Sequence, residues 1–148
     1  MDVRCDKMES ACVEFAQICK GKSSSIKHIS FSRVNTQTHT LKTISTSYEW
    51  HLDYWAEKLN LHVASRILSG VTDWQNKNKP HLQFLAEHHI PFKTDYTFAS
   101  GNHVDILSIA TDRKLTPVDI AELGRIKPMV NYHVNQLWRQ NAVESLPY

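Results

Sequence analysis

Residues 93–110 run Lys93-Thr94-Asp95-Tyr96-Thr97-Phe98, then Ala99, then Ser100-Gly101-Asn102, then His103-Val104-Asp105-Ile106-Leu107-Ser108-Ile109-Ala110. Two stretches rich in β-branched and aromatic residues flank a turn signal, so the reading is two strands joined as a hairpin. The segment beyond Thr116 predicts a long helix. Thr116 is a strong N-cap, Pro117 suits the first helical position, and Asp119 puts a carboxylate at the positive end of the helix. Leu123, Ile126, Val130, His133 and Leu137 form its expected apolar stripe. Pro128 lies inside it, removes one donor and crowds the carbonyl of Gly124, which predicts a kink.

Working back toward the N-terminus gives a second hairpin. Ile26 to Val34 predicts a strand with Ile29 and Phe31 on one face and Ile26, His28 and Val34 on the other. After a polar turn at 35–38, the Thr-rich run 39–46 predicts its partner. Between the hairpins lie helical segments. Tyr48, Leu52, Trp55 and Leu59 mark one face of a helix over 48–59, and Trp50 and Tyr54 mark another. A short helix over 61–68 stops at Gly70, and a third starts near Pro80 and must end before Pro91. At the start, Cys5, Met8, Cys12, Phe15 and Cys19 make a stripe at helical spacing, closed by Gly21 and a serine loop over 23–25. Thiols seven residues apart are about 10.5 Å apart along a helix and cannot share a zinc ion. The stripe predicts either a docked helix with thiols acting as small hydrophobes or a short dimerisation seam. The whole order predicts one domain over 1–148. Its fold class is α/β, more narrowly α+β: a mixed, largely antiparallel sheet sandwiched by helices in the PAS or GAF manner.

Composition narrows the function. The chain has 148 residues, 41% hydrophobic and 22% charged, with 17 basic against 15 acidic side chains and a net charge of +2. These are globular values. The near balance speaks against a protein whose main task is phosphate neutralisation along nucleic acid. No apolar run approaches the ~20 residues that cross a bilayer, so no membrane partner is expected. The acidic N-terminus and the odd number of cysteines point to a reducing, cytoplasmic location. With four glycines, the chain carries no phosphate-cradling Gly-rich loop. Ser24-Ser25-Ile26-Lys27 fits S-x-x-K, a pattern too short to carry a catalytic assignment without partner motifs. The nine histidines are dispersed, with none paired at i, i+4, so they predict surface or hydrogen-bonded roles and no metal. No acid/base pair is visible, and no cofactor or catalytic group is assigned. Trp50 and Tyr54 sit one helical turn apart, and Trp74 lies further on in Val71-Thr72-Asp73-Trp74-Gln75. Such rings line a pocket for a small amphipathic ligand or pack as an aromatic core.

Ile106-Leu107-Ser108-Ile109-Ala110-Thr111-Asp112, with Leu115-Thr116-Pro117 after it and Pro128 in the closing helix, resembles the end of the autoinducer-binding domain of LuxR-type transcription regulators. Ala86-Glu87, Ile90-Pro91 and Tyr96-Thr97-Phe98 resemble the segment upstream of it, and Trp50-x-x-x-Tyr54 matches the family's pocket Trp and Tyr. The resemblance implies a PAS-like sandwich that binds an acyl-homoserine lactone, forms a homodimer and acts on DNA through a separate domain or a partner. It implies ligand contacts for Trp50, Tyr54 and Trp74. Two departures stand out. The family's Asp after the pocket Tyr, which accepts the ligand amide N–H, has no counterpart in Asn60-Leu61-His62-Val63-Ala64-Ser65, and the family's C-terminal helix-turn-helix domain has no counterpart within these 148 residues. An unpaired ligand amide costs ~1–3 kcal/mol, which counts against the usual lactone. The sequence is then expected to be either an excised sensor half or an orphan acting through a partner. Val130-Asn131-Tyr132-His133-Val134 also resembles that family's recognition helix. Three functions thus stand at this point: a non-enzymatic ligand-sensing dimerisation domain, a ligand-free protein-interaction domain, and a DNA-binding protein using the 120–140 helix.

Overall fold

The computed structural model describes residues 6–20, 26–68 and 70–148. Cys5, Gly21 and serines 23–25, two of which begin the S-x-x-K pattern, lie outside the described residues. The helices are α1 (Asp6–Cys19), α2 (Tyr48–Ala56), α3 (Lys79–Glu87) and α4 (Pro117–Gln140), with 3-10 segments at Leu59–Arg66 and Trp74–Asn76. The strands are β1 (Ile26–Asn35), β2 (Thr40–Ser45), β3 (Gly70–Asp73), β4 (Phe92–Ser100), β5 (His103–Thr111) and β6 (Leu146–Pro147). They form one sheet in the order β3-β4-β5-β1-β2-β6, and every pairing is antiparallel. The class is α+β. The two expected hairpins are present, and β5 and β1 join them at the sheet centre.

The two faces of the sheet differ in chemistry. On one, Ile29, Phe31, Ile44, Leu107 and Ile109 pack against Met8, Cys12 and Phe15 of α1 and Leu123, Val130, Val134 and Trp138 of α4. The N-terminal stripe is therefore buried within the domain from Met8 to Cys19. Burial pushes the Cys12 thiol up to about 11, so it stays protonated and behaves as a small apolar group. α4 is also tied down by a polar clamp. Arg33 grips Asp105 at 2.8 and 3.0 Å and donates to Asn131 at 3.0 Å and Asn135 at 2.7 Å. The segment that resembles a recognition helix thus spends Val130, Asn131 and Val134 on the sheet, leaving Tyr132 as its exposed ring.

The opposite face carries His28, Ser30, Ser32, Thr43, Ser45, Lys93, Asp95, Thr97 and Ser108, and all of them are buried. α2, α3 and the 3-10 segment Leu59–Arg66 cover it with Trp50, Tyr54, Leu59, Val63, Phe84 and Leu85. A polar strand face commonly points to solvent; here it faces a second interior.

Several expectations change. A bulge between Ile26 and His28 breaks the alternation, and Ile26 packs with the Ile29 side instead of the His28 side. The helix over 48–59 stops at Ala56, because Lys58 adopts a left-handed conformation with φ 58°. The face that α2 buries is Trp50, His51 and Tyr54, while Leu52 and Trp55 are half-buried. The expected short helix is the 3-10 segment, and Gly70 opens edge strand β3. Neither β3 nor β6 was legible as a strand. In α4 the stripe continues through Val134 in place of His133, which is half-buried, and the helix runs on through Pro128. Three histidines, His28, His51 and His81, are buried, and His28 has no hydrogen-bond partner on either ring nitrogen among the described residues. Among the described residues no group of His, Cys, Asp and Glu is arranged to hold a metal ion, and no helix is long and apolar enough to cross a membrane.

Candidate ligand-binding site

Ser47 caps α2 by accepting the Trp50 N–H at 3.2 Å, which fixes the start of the helix and turns Trp50 and Tyr54 toward the sheet. Trp50 sits at the centre of a ring cluster. Its centroid lies 4.4 Å from Phe84, 4.5 Å from His28 and 5.9 Å from Trp74. Trp74 enters from the short 3-10 turn after β3 and is fully buried. The three rings singled out in the sequence therefore converge at one place on the polar sheet face. Trp50 and Trp74 are in direct ring contact, and Tyr54 reaches them through Phe84 and a shared polar group.

That polar group is centred on Asp95, a residue that nothing in its local sequence marks. Arg66, from the 3-10 segment, donates to both carboxylate oxygens at 2.7 and 3.1 Å and to the Tyr54 hydroxyl at 3.2 Å. Asp95 also accepts from the Trp74 indole N–H at 2.9 Å and from the Ser108 hydroxyl at 2.6 Å. Burial raises the carboxyl, but the charge and hydrogen bonds of Arg66 outweigh it and hold Asp95 ionised, down at about 2. Burial pushes the Tyr54 phenol up. The sequence offers no Asp in the segment 60–65 after Tyr54, yet a carboxylate reaches the Tyr54 and Trp74 rings from β4. This one already has four donors.

Lys93 lies two residues before Asp95 and so on the same strand face. It is 1% exposed, and its ammonium has no hydrogen-bond partner among the described residues. It stands over the Trp50 ring at 4.5 Å and the Trp74 ring at 5.1 Å. Burial brings its pKa down to about 7, with Asp95 opposing and Arg66 adding to that shift. Beside these groups is a cavity of about 20 Å³, lined by Ser30, Ser32, Thr43, Trp50, Tyr54 and Lys93 among others. That is room for one water, against ~300–1,000 Å³ for a small-molecule pocket. A larger cavity of about 190 Å³ lies at the sheet edge between α1, α2 and the C-terminal segment, lined by Met8, Leu41, Trp55 and Val143 among others. His51 borders both cavities, and its Nε2 has no partner among the described residues.

Lys93 and Asp95 are not legible in the sequence because charges at alternating strand positions look like a solvent face, and Arg66, at the end of a 3-10 segment, carries no local mark of burial. The available signal was Ser108 inside the otherwise apolar run Ile106–Ala110, opposite Asp95 in register.

No family profile and no curated protein matches the sequence. Solved structures do match. SdiA of Escherichia coli superposes with a TM-score of 0.60 at 12% identity, over 94% of this chain and 63% of that one. SdiA in complex with octanoyl-rac-glycerol gives 0.58 at 15% identity, over 95% and 63%. The N-acylhomoserine lactone-dependent LuxR-family transcription factor CepR2 of Burkholderia cenocepacia gives 0.50 at 10% identity, over 93% and 96%. The chain thus spans 63% of the length of the SdiA chains. The fold of this chain is that of the autoinducer-binding domains of LuxR-family transcription factors.

Proposed function

We propose that this chain is a non-enzymatic ligand-sensing domain that encloses a small amphipathic signal between the polar face of its sheet and the layer formed by α2, α3 and the 3-10 segment. Trp50, Tyr54 and Trp74 contact the signal. The observation that carries this reading is the buried row Asp95, Ser108, Ser30 and Ser45, which crosses four strands in register beneath aromatic rings. A core built only for stability has no use for such a row, since apolar side chains fill the same space without hydrogen-bond demands. The likeness in fold to SdiA and CepR2 supports it. A signal larger than the cavity of about 20 Å³ enters by outward movement of the covering layer. The place for that movement is the eight-residue 3-10 segment, longer than such helices usually run and entered through the left-handed Lys58. A ligand bound only by the folded form stabilises it by mass action. In this reading the domain is cytoplasmic, forms a homodimer and acts on DNA through a separate domain or a partner.

The near-filled cavity favours a second reading, a protein-interaction domain with a solid core. Native mass spectrometry of the purified chain separates the two by reporting bound small molecule and dimer together. A retained molecule, released by Trp50→Ala, supports sensing. A bare chain whose melting temperature no small molecule raises supports interaction.

A further inference from the structure

Within the ligand-sensing reading, on which this rests, we infer that the bound signal carries one negative charge, a carboxylate, which pairs with the Lys93 ammonium between the Trp50 and Trp74 rings. The charges in the enclosed site set the requirement. Arg66 and Asp95 satisfy one another through two short hydrogen bonds, so together they leave no net charge. Lys93 remains, 1% exposed, lining the cavity with no hydrogen-bond partner among the described residues. Indole faces attract an ammonium but accept no hydrogen bond of ordinary strength, and an isolated buried charge is costly. A neutral amide or lactone carbonyl accepts one bond and leaves the charge uncompensated. A dianion brings a second charge toward Asp95 with no cation to meet it. A monoanion closes the balance, and of the hydroxyl residues lining the same cavity Ser32 and Ser45 can donate to its oxygens, since Ser30 donates to Ser45.

The groups facing Lys93 are Asp95 on its own strand, Arg66 from the 3-10 segment, Tyr54 and His51 from α2, and His28 from β1. Burial holds His28 and His51 neutral well below pH 6, down at about 2 and about 4. Between pH 6 and 9 Lys93 is therefore the group of this set that changes charge, at about 7. Pairing with an anion raises that value, so binding takes up a proton above pH 7 and weakens as pH rises further.

The test uses matched probes, hexanoate with hexanamide and phenylacetate with phenylacetamide, titrated calorimetrically into the full chain. At pH 6 each carboxylate should bind about tenfold or more tightly than its amide, a margin of the size an ion pair out of water supplies. That preference should shrink by about tenfold per pH unit above 7. At pH 8, titration in two buffers of different ionisation enthalpy should show uptake of about one proton. Lys93→Met should abolish the preference and the uptake while its melting profile shows a folded chain. If that variant fails to fold, the pH series on the unaltered chain decides alone. Equal binding of acid and amide without proton uptake overturns the carboxylate and leaves the sensing reading standing. Binding of no probe, with a bare chain in native mass spectrometry, overturns both.

Discussion

Asp95 and Arg66 show how one residue's environment outruns its local sequence. Each is buried, and each satisfies the other with two hydrogen bonds. Breaking such a pair from one side strands a charge. Asp95→Asn should therefore destabilise the fold by roughly 3–5 kcal/mol, read from urea denaturation. The double change Asp95→Leu with Arg66→Met should cost clearly less than the sum of the single changes, because no unpaired ion remains. Additivity would show that the pair is not coupled. Trp50 and Tyr54 could be chosen from sequence because two large rings one turn apart must share a helix face. Lys93 could not, since whether a strand charge meets water depends on what lies above that strand.

At the scale of elements, the start of α4 was legible because capping is a local interaction, whereas the end of α2, expected at 59 and found at Ala56, was not. The Thr116 hydroxyl accepts the Asp119 N–H at 3.2 Å, and the Asp119 carboxylate in turn accepts the Thr116 N–H at 2.7 Å. Thr116→Ala should lower stability by about 1 kcal/mol in a thermal or urea melt. Gly124, inside α4, makes the opposite case. A Cβ there would meet only the Tyr96 hydroxyl, at 3.5 Å, an ordinary contact. Gly124→Ala should thus stabilise the chain by roughly 0.5–1 kcal/mol, and a loss instead would show that Tyr96 cannot give way. The hairpins were legible from turn residues and β-branching. The parity of β1 was not, because the bulge at Ile26 inserts a residue that no local signal marks. β3 and β6 escaped for a related reason: at four and two residues they carry too few positions to display a period.

For the whole molecule, buried bases set the pH response. Burial, helped by Lys93, lowers His28 to about 2, and burial lowers His51 to about 4, against 6.5 for an unfolded histidine. Lys93 falls to about 7 against 10.5. In each window the unfolded chain binds more protons than the folded one, so stability rises with pH. Without ligand, the melting temperature should climb from pH 4.5 to 6.5 and again from pH 7 to 10. Each group contributes up to about 1.4 kcal/mol per pH unit inside its window. His28→Leu should make the lower limb shallower, with His51 and His81 keeping the rest of its slope, and Lys93→Met should make the upper one shallower. A profile flat across both windows would show that these groups are not buried in solution.

Local chemistry, read from the sequence alone, determined the N-cap of α4, the two hairpins, the α+β class and the pair of rings on α2. Each of these depends on residues within a turn or two of one another. Only the tertiary structure decided which face of the sheet would be roofed, and with it whether Lys93, Asp95 and Ser108 meet solvent or Trp50 and Trp74. Burial is a property of what packs across the sheet. Residues far apart in the chain supply that layer, and strand alternation looks the same whether water or a helix lies above it.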